Sequence, residues 1–417
     1  MVPQEFALIW ANQEKPMQFK TVAVTGMGTV TRDAVGLQAL WRHLLAGGAL
    51  PAPPTYFDSA GFRSQNTYTV DPQALWQRQL QSCWPASPAL YQRLPCAGYG
   101  WLAAREALCQ ASLDNVDISC MGLSLATTSG GSMDSFASGG TTEDARYGAL
   151  SSAAYLLAEL LQLGGSVSVF SCACVSGAAA LSHAFERVRQ GDTPLMLAGG
   201  CDQVREADFA GFNALRAVAP DACRPFDENR KGMVMGDGAA MLVLEDLEHA
   251  IARGVRPLAI FRSFGLAADG HHLTAPNPDG LVRAMRQALA GTEGIPGYIN
   301  CHGTGTQAND SSELLAMQQV FGSEPSEQVV SSTKSSVGHL LGSAGALEAV
   351  LTINVLREQC VPPMTTCNQP MATMNFRLPM RDRALPVVTD WAMSNSLGFG
   401  GLNGSLIFSR PSGNNPI

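Results

Sequence analysis

Short β-branched runs alternate with longer Ala-rich or amphipathic stretches along most of the chain, the pattern of strands interleaved with covering helices. Thr21-Val22-Ala23-Val24-Thr25 predicts a first strand and residues 35–47 a helix. From 50 to 90 the chain is rich in Pro, Ser and Gln with little periodicity, which predicts an irregular connection with short helices. A helix follows around Gly98–Ser112, then a strand at Met121–Thr127 ending in Ser129-Gly130-Gly131. Ser166–Phe170 reads as a buried strand and Ala178–Val188 as a helix.

After a helix at Leu247–Arg253 the alternation returns: strand Pro257–Phe261, helix Leu281–Leu289, strand Gly297–Cys301, helix Ser312–Phe321, strand Val329–Ser332 and helix Ala346–Leu356. The halves echo each other. Val167–Phe170 leads through an elbow at Cys174 into one helix, as Val329–Ser332 leads through Lys334–His339 into another. The expectation is a duplicated α/β architecture, mostly parallel, with halves at 20–256 and 257–410, an extension at 1–19 and a tail at 411–417. Duplication would bring the two turns together at the centre. Met17 stands just before the first strand, at the expected start of the fold.

The chain has 417 residues, 46% hydrophobic and 15% charged, enough for a large buried core. A net charge of −8 argues against a nucleic-acid groove, while leaving room for a local basic patch. Eleven scattered cysteines, none in a Cys-x-x-Cys pair, predict free thiols in a reducing cytoplasmic setting and no structural zinc. No apolar run approaches the ~20 residues of a membrane span, and residues 1–16 do not read as a secretory signal.

Cys174-Val175-Ser176-Gly177-Ala178 lies between a strand and an Ala-rich helix. A thiol there sits at the positive end of a helix dipole, where its pKa is expected to fall, and Gly177 allows another backbone or a substrate to come close. Gly26-Met27-Gly28 follows the first strand, but position 31 is Thr31 where a dinucleotide fingerprint needs glycine. Of seven histidines, His302 and His339 lie in Gly/Thr/Ser-rich turns, whereas His43, His183 and His249 sit in helical, charged surroundings. His302 belongs to Cys301-His302-Gly303-Thr304-Gly305-Thr306, and His339 to the run from Ser332 to Gly342, with Gly345 and Glu348 beyond. Asn395-Ser396-Leu397-Gly398-Phe399-Gly400-Gly401-Leu402-Asn403 follows near the C-terminus.

From Lys20 to Arg410 the chain resembles the condensing enzymes of the thiolase superfamily, specifically the elongating β-ketoacyl-[acyl-carrier-protein] synthases. The resemblance is carried by the Cys174 elbow, His302–Thr306, Lys334–Gly345, Gly398–Asn403, and Arg224-Pro225-Phe226-Asp227 with Gly232 and Gly236-Asp237-Gly238. It implies a thiolase-like fold of two βαβαβαββ halves in a five-layer αβαβα core. It also implies a decarboxylative condensation: Cys174 accepts an acyl chain from an acyl carrier protein, and His302 and His339 hold a malonyl thioester and stabilise the enolate left by loss of carbon dioxide. The backbone N–H groups of Cys174 and Phe399 would form an oxyanion hole, with Lys334 and Glu348 as a supporting pair that fixes His339 and the local field. Thr304, Thr306 and Thr274 would hold the phosphopantetheine arm, Asp269 and His272 would belong with Thr274 to the family's second mobile loop, and Phe399 would act as a gate among glycines. No metal and no further cofactor is implied, since phosphopantetheine arrives on the carrier. The family is dimeric through an edge strand, so a homodimer or a heterodimer with a chain-length-factor-like subunit is expected.

Several features depart from the family pattern. The region from Gly131 to Cys174 and the loop Arg216–Arg224 are short, residues 88–96 are poor in basic residues, and Met233 replaces a usual aromatic. Together with the Gln-rich stretch at 63–93, they favour a dedicated polyketide or specialised-lipid pathway over housekeeping fatty-acid synthesis. Arg216 is a candidate carrier contact. A thiolase proper would place a second cysteine in the C-terminal glycine turn, and Gly398–Asn403 has none. A silent chain-length partner or a pure decarboxylase would lack the nucleophile that Cys174 supplies.

Overall fold

A computed structural model describes residues 19–113, 116–130, 147–380 and 383–411. The expected extension apart from its last residue, the tail beyond Pro411, and residues 131–146 of the shortened region lie outside these residues. The first half contributes β1 (Val22–Thr31), β2 (Gly122–Ala126), β3 (Val167–Phe170), β4 (Leu195–Asp202) and β5 (Gly238–Asp246). The second contributes β6 (Ala259–Ala268), β7 (Tyr298–Asn300), β8 (Val329–Ser331), β9 (Trp391–Gly398) and β10 (Leu402–Ser409). Within the first half the spatial order is β3-β2-β4-β5-β1, and within the second β8-β7-β9-β10-β6. Ranked by sequence, both read third, second, fourth, fifth, first, with the fifth strand antiparallel to both neighbours, so the sheet is mixed where a mostly parallel one was expected. The two sets meet where β1 and β6 pair antiparallel over Val22–Phe261, Ala23–Ile260 and Val24–Ala259.

Between the two sets lie the helices Ser176–Arg189 and Ala344–Glu358. Their Val175, Ala178, Leu181, Leu347 and Val350 share one apolar core with β1, β5 and β10. A second core joins the helix Pro95–Gln110 to the outer face of the first sheet, and a third joins Pro278–Leu289 and Gln307–Phe321 to that of the second. Helix, sheet, paired helices, sheet, helix is the thiolase-like five-layer arrangement. Burial on every side explains why Ala344–Leu356 has no solvent-facing side: all thirteen residues are buried.

Gly26 and Gly28 lie inside β1 rather than in a phosphate-binding turn. A Cβ at Gly26 would stand 1.9 Å from the carbonyl oxygen of Ala107, and one at Gly28 2.0 Å from that of Ala103. The glycines let the helix Pro95–Gln110 lie directly on the strand. Residues 50–90 do form short helices, Pro72–Leu75 and Pro88–Arg93, with a π-helical turn at Trp76–Leu80. They are held by an aromatic group in which Trp76 stacks on Tyr91 and Trp84 meets Tyr91 and Trp101. The strand before Cys174 departs from expectation: all of Val167–Phe170 is half-buried, because β3 ends the strand order and pairs only with β2.

The paired central helices touch through glycine. A Cβ on Gly177 would lie 2.5 Å from the backbone nitrogen of Ala346, and one on Gly345 2.9 Å from that of Ala178. Backbone cannot move aside as a flexible side chain can, so Gly177→Ala should destabilise the protein by about 3 kcal/mol in urea unfolding. Gly211 sits exposed inside the helix Glu206–Ala214 with nothing within 4 Å of the added Cβ. Gly211→Ala should therefore stabilise by about 0.5–1 kcal/mol. Equal effects at the two glycines would contradict the close crossing.

Candidate active site

The elbow after β3 is built around a strained residue. Ala173 has φ of 51°, in the left-handed region, at a cost of about 1–2 kcal/mol. Ser176 braces it: the Cys172 N–H donates to Ser176 Oγ at 2.8 Å, and that hydroxyl donates to the Ala173 carbonyl at 2.6 Å. The bend delivers Cys174 to the N-terminus of Ser176–Arg189, facing a cavity of about 560 Å³. His302 and His339 line the same cavity. The sulfur and one nitrogen from each imidazole lie within 4.8 Å of one another, and the rings meet edge to face, centroids 5.2 Å apart. The three side chains that the sequence placed far apart converge.

His302 follows β7, and its turn is held from the next helix, Gln307–Phe321. Glu313 accepts the N–H groups of His302 and Gly303 at 2.7 and 2.8 Å, while Asp310 accepts those of Gly305 and Phe226. Gly303 and Gly305 have φ of 37° and 75°. His339 is pinned by the first half of the chain: its N–H donates to the Val234 carbonyl at 2.7 Å, and its carbonyl accepts from Gly236 N–H at 2.9 Å.

Lys334, buried to 1% exposure, lies behind the imidazoles. Its amino group meets three acceptors, the Glu348 carboxylate, the His302 carbonyl at 2.6 Å and His302 Nδ1 at 3.2 Å, which matches the three donors of an ammonium, so the pair braces His302 where His339 was expected. His302 Nδ1 is therefore an acceptor and its proton resides on Nε2. The Leu341 N–H donates to His339 Nδ1 at 3.1 Å and imposes the same tautomer there. Burial first, then the Lys334 charge, holds both imidazoles well below their ordinary pKa, so each is neutral. A thiol and two imidazoles at this spacing could serve a zinc ion, but ligation through Nε2 would put a proton on each Nδ1, against the donors of Lys334 and Leu341. The donor set favours an anionic oxygen over a metal.

One electrostatic expectation is reversed. Burial pushes the Cys174 thiol up to about 11; Lys334 and the N–H groups of Phe399 and Cys174 pull it down by less, and Glu348 adds to the rise. The residue keeps some surface exposure at the edge of the sheet, yet its thiol is enclosed by protein, and enclosure outweighs the favourable end of the helix. Burial likewise raises Glu348 to about 7 against the pull of Lys334, and Glu313 to about 8.

The backbone N–H groups of Phe399 and Cys174 both act on the Cys174 sulfur, lowering its pKa. The Phe399 ring lies over Phe212, centroids 5.6 Å apart, an aromatic partner that the sequence reading missed. Gly400 and Gly401 have φ of 85° and 77°, and their turn is tied to the neighbouring loop by Gly400 N–H to the Leu273 carbonyl and Asp269 N–H to the Gly401 carbonyl. Thr304, Thr306, Thr274, His272 and Met233 line the cavity; Asp269 instead braces its own loop by accepting from His271 and Asn277 N–H. Thr304 and Thr306 hydroxyls are 3.0 Å apart, and Thr306 caps the helix that carries Asp310 and Glu313. Arg63, Arg216 and Lys231 add positive charge to the lining; only Arg216 was expected. Glu313 and Asp310 were also missed, although acids three residues apart on a helix just after a Gly/Thr turn were there to find.

Residues 19–250 match the Beta-ketoacyl synthase, N-terminal domain family, and residues 258–368 the Beta-ketoacyl synthase, C-terminal domain family. The chain is 33% identical over 421 residues to 3-oxoacyl-[acyl-carrier-protein] synthase 2 of Vibrio harveyi, covering 94% of this chain and 99% of the relative. It is 40% identical over 273 residues to nodulation protein E of Rhizobium meliloti, covering 62% and 66% of the two chains. Among solved structures it resembles the ishigamide ketosynthase/chain length factor, with a TM-score of 0.86, 29% identity, and 94% and 100% of the two chains covered. By fold, by sequence and by the arrangement of its cavity, the chain belongs to the β-ketoacyl synthase family of acyltransferases.

Proposed function

We propose that the protein elongates an acyl chain held on Cys174 with a malonyl extender, both delivered by an acyl carrier protein. The observation that carries this reading is the convergence of one thiol and two neutral Nε2–H imidazoles within 4.8 Å. In the first step the Cys174 sulfur attacks the acyl thioester carbonyl, a new C–S bond forms as the bond to the pantetheine sulfur breaks, and the proton given up by the Cys174 thiol leaves on the pantetheine thiol. The N–H groups of Cys174 and Phe399 stabilise the tetrahedral oxyanion. The malonyl thioester then loses carbon dioxide. The electron pair of the broken C–C bond passes into an enolate whose oxygen accepts from Nε2–H of His302 and His339. The enolate carbon attacks the acyl-Cys174 carbonyl and the thiolate is expelled, leaving β-ketoacyl carrier protein.

Two neutral donors suit this chemistry better than a cation, since neither can protonate the enolate carbon before it attacks. Lys334 and Glu348 serve as positioning residues for His302, and Thr304, Thr306 and Thr274 as contacts for the phosphopantetheine arm. Positive charge at Arg63, Arg216 and Lys231 fits an acidic carrier. Half-buried β3, running straight into the elbow, fits pairing with a second subunit, either another copy or a chain-length-factor-like partner. The relatives' names span acyl-carrier-protein synthases, a nodulation protein and a ketosynthase/chain length factor. The short loops and Met233 favour the specialised pathway among these.

Mixing the protein with an acyl-carrier thioester should add one acyl mass at Cys174, and Cys174→Ala should show no such adduct and no condensation. His302→Ala and His339→Ala should lower malonyl decarboxylation about 100-fold or more while slowing loading far less. Equal loss of both half-reactions would overturn the division of roles. The raised thiol has a pH signature: below its pKa of about 11 the reactive thiolate gains about tenfold per pH unit. Alkylation of Cys174 by iodoacetamide, followed by intact mass, should therefore keep accelerating from about pH 7 to pH 9. A plateau below about pH 8 would contradict it.

A further inference from the structure

Asp202, at the end of β4, has a carboxylate that is completely buried and has no Lys, Arg or His ion-pair partner among the described residues. Five donors converge on it. Oδ1 accepts from Thr127 Oγ1 at 2.7 Å and Ser129 N–H at 2.9 Å, and Oδ2 from Gly342 N–H at 2.7 Å and Thr128 Oγ1 at 3.1 Å. The Thr128 N–H is shared between both oxygens at 3.0 Å. Bonds of this number and length are what a buried carboxylate needs in place of water.

Its partners explain why a charge is spent there. Gly342 opens away from His339 by only three residues, and Leu341 between them is a leucine with φ of 52°, in the left-handed region that a branched side chain avoids. Leu341 is also the residue whose N–H holds His339 Nδ1. A strained residue persists only where its neighbours over-determine it. Here they do: Val234 and Gly236 fix the backbone of His339 on one side, and Asp202 fixes Gly342 on the other. Space is closed as well, since a Cβ on Gly342 would lie 2.7 Å from Asp202 Oδ2 and 2.9 Å from Thr128 N. The same carboxylate grips Thr127–Ser129, the turn after β2, whose Thr127 N–H bonds the Phe170 carbonyl just before the elbow.

We propose that Asp202 is a positioning residue for the decarboxylation half-reaction: it clamps the strained Leu341 turn and so keeps Nε2–H of His339 aimed at the enolate oxygen. The inference rests on the condensing role argued above. Asp202→Asn keeps the shape but turns one acceptor into a donor, opposite N–H groups that already donate. Leu341 is then free to relax, and the His339 tautomer loses its lock.

The test compares wild type, Asp202→Asn and Gly342→Ala as full chains of matched thermal stability, reading acyl loading of Cys174 by intact mass and carbon dioxide release from malonyl carrier protein. For Asp202→Asn, kcat for decarboxylation should fall about tenfold or more, with loading and the KM for malonyl carrier nearly unchanged. Gly342→Ala, which presses on the carboxylate while leaving its charge, should show the same selective loss, and it decides the matter if Asp202→Asn does not fold. Parallel loss of loading and decarboxylation in a folded variant, or no loss of either, overturns the inference. Wild type that neither loads nor decarboxylates would instead overturn the condensing role itself.

Discussion

The close crossing of two buried helices is the constraint from which the rest follows. Gly177 lies against the backbone of Ala346, and Gly345 against that of Ala178, so the N-termini of Ser176–Arg189 and Ala344–Glu358 start side by side. Each helix is fed by a turn from its own half, one bearing Cys174 and the other His339. Side chains at the crossing would push the turns apart, and with them the sulfur and imidazole nitrogens that lie within 4.8 Å of one another. Helix packing and site geometry are thus one property of the fold.

Around that crossing the protein arranges charge so that the reacting groups stay neutral. Lys334 is the buried cation, countered by Glu348, and its field together with burial keeps both imidazoles unprotonated. Burial also keeps the thiol protonated, a cost that the proposed attack on a thioester has to overcome. Glu313 and Asp310, on the helix after the His302 turn, accept backbone N–H groups and lock that turn. Asp202 does the same for the turn after His339. The two histidine turns are thus held by acids accepting main-chain donors, not by direct contact with the rings.

Much of this was legible from residue order. Alternating short strands and helices, and the echo of a strand-turn-helix unit in each half, anticipated the duplication and the meeting of Cys174 with the histidine turns. Gly177 was recognised as a place of close backbone approach, and it is one. The thiol's acidity was not legible, because a helix N-terminus shows in sequence whereas enclosure by distant segments does not. The half-burial of β3 was hidden for a related reason: Val167-Ser168-Val169-Phe170 carries the composition of a central strand, and only topology sends it to the edge. Phe212 and Asp202 escaped notice because their partners, Phe399 and Gly342, are far away in the chain.

The central claim is that both imidazoles donate to one oxygen while Cys174 carries the acyl chain. The direct measurement is a crystal structure of acyl-Cys174 protein bound to a malonyl-pantetheine analogue that cannot lose carbon dioxide. The account predicts the analogue's carbonyl oxygen within about 3 Å of Nε2 of both His302 and His339, with the acyl carbonyl oxygen facing the N–H groups of Cys174 and Phe399. A malonyl carbonyl touched by only one imidazole, or lying away from both, would contradict it.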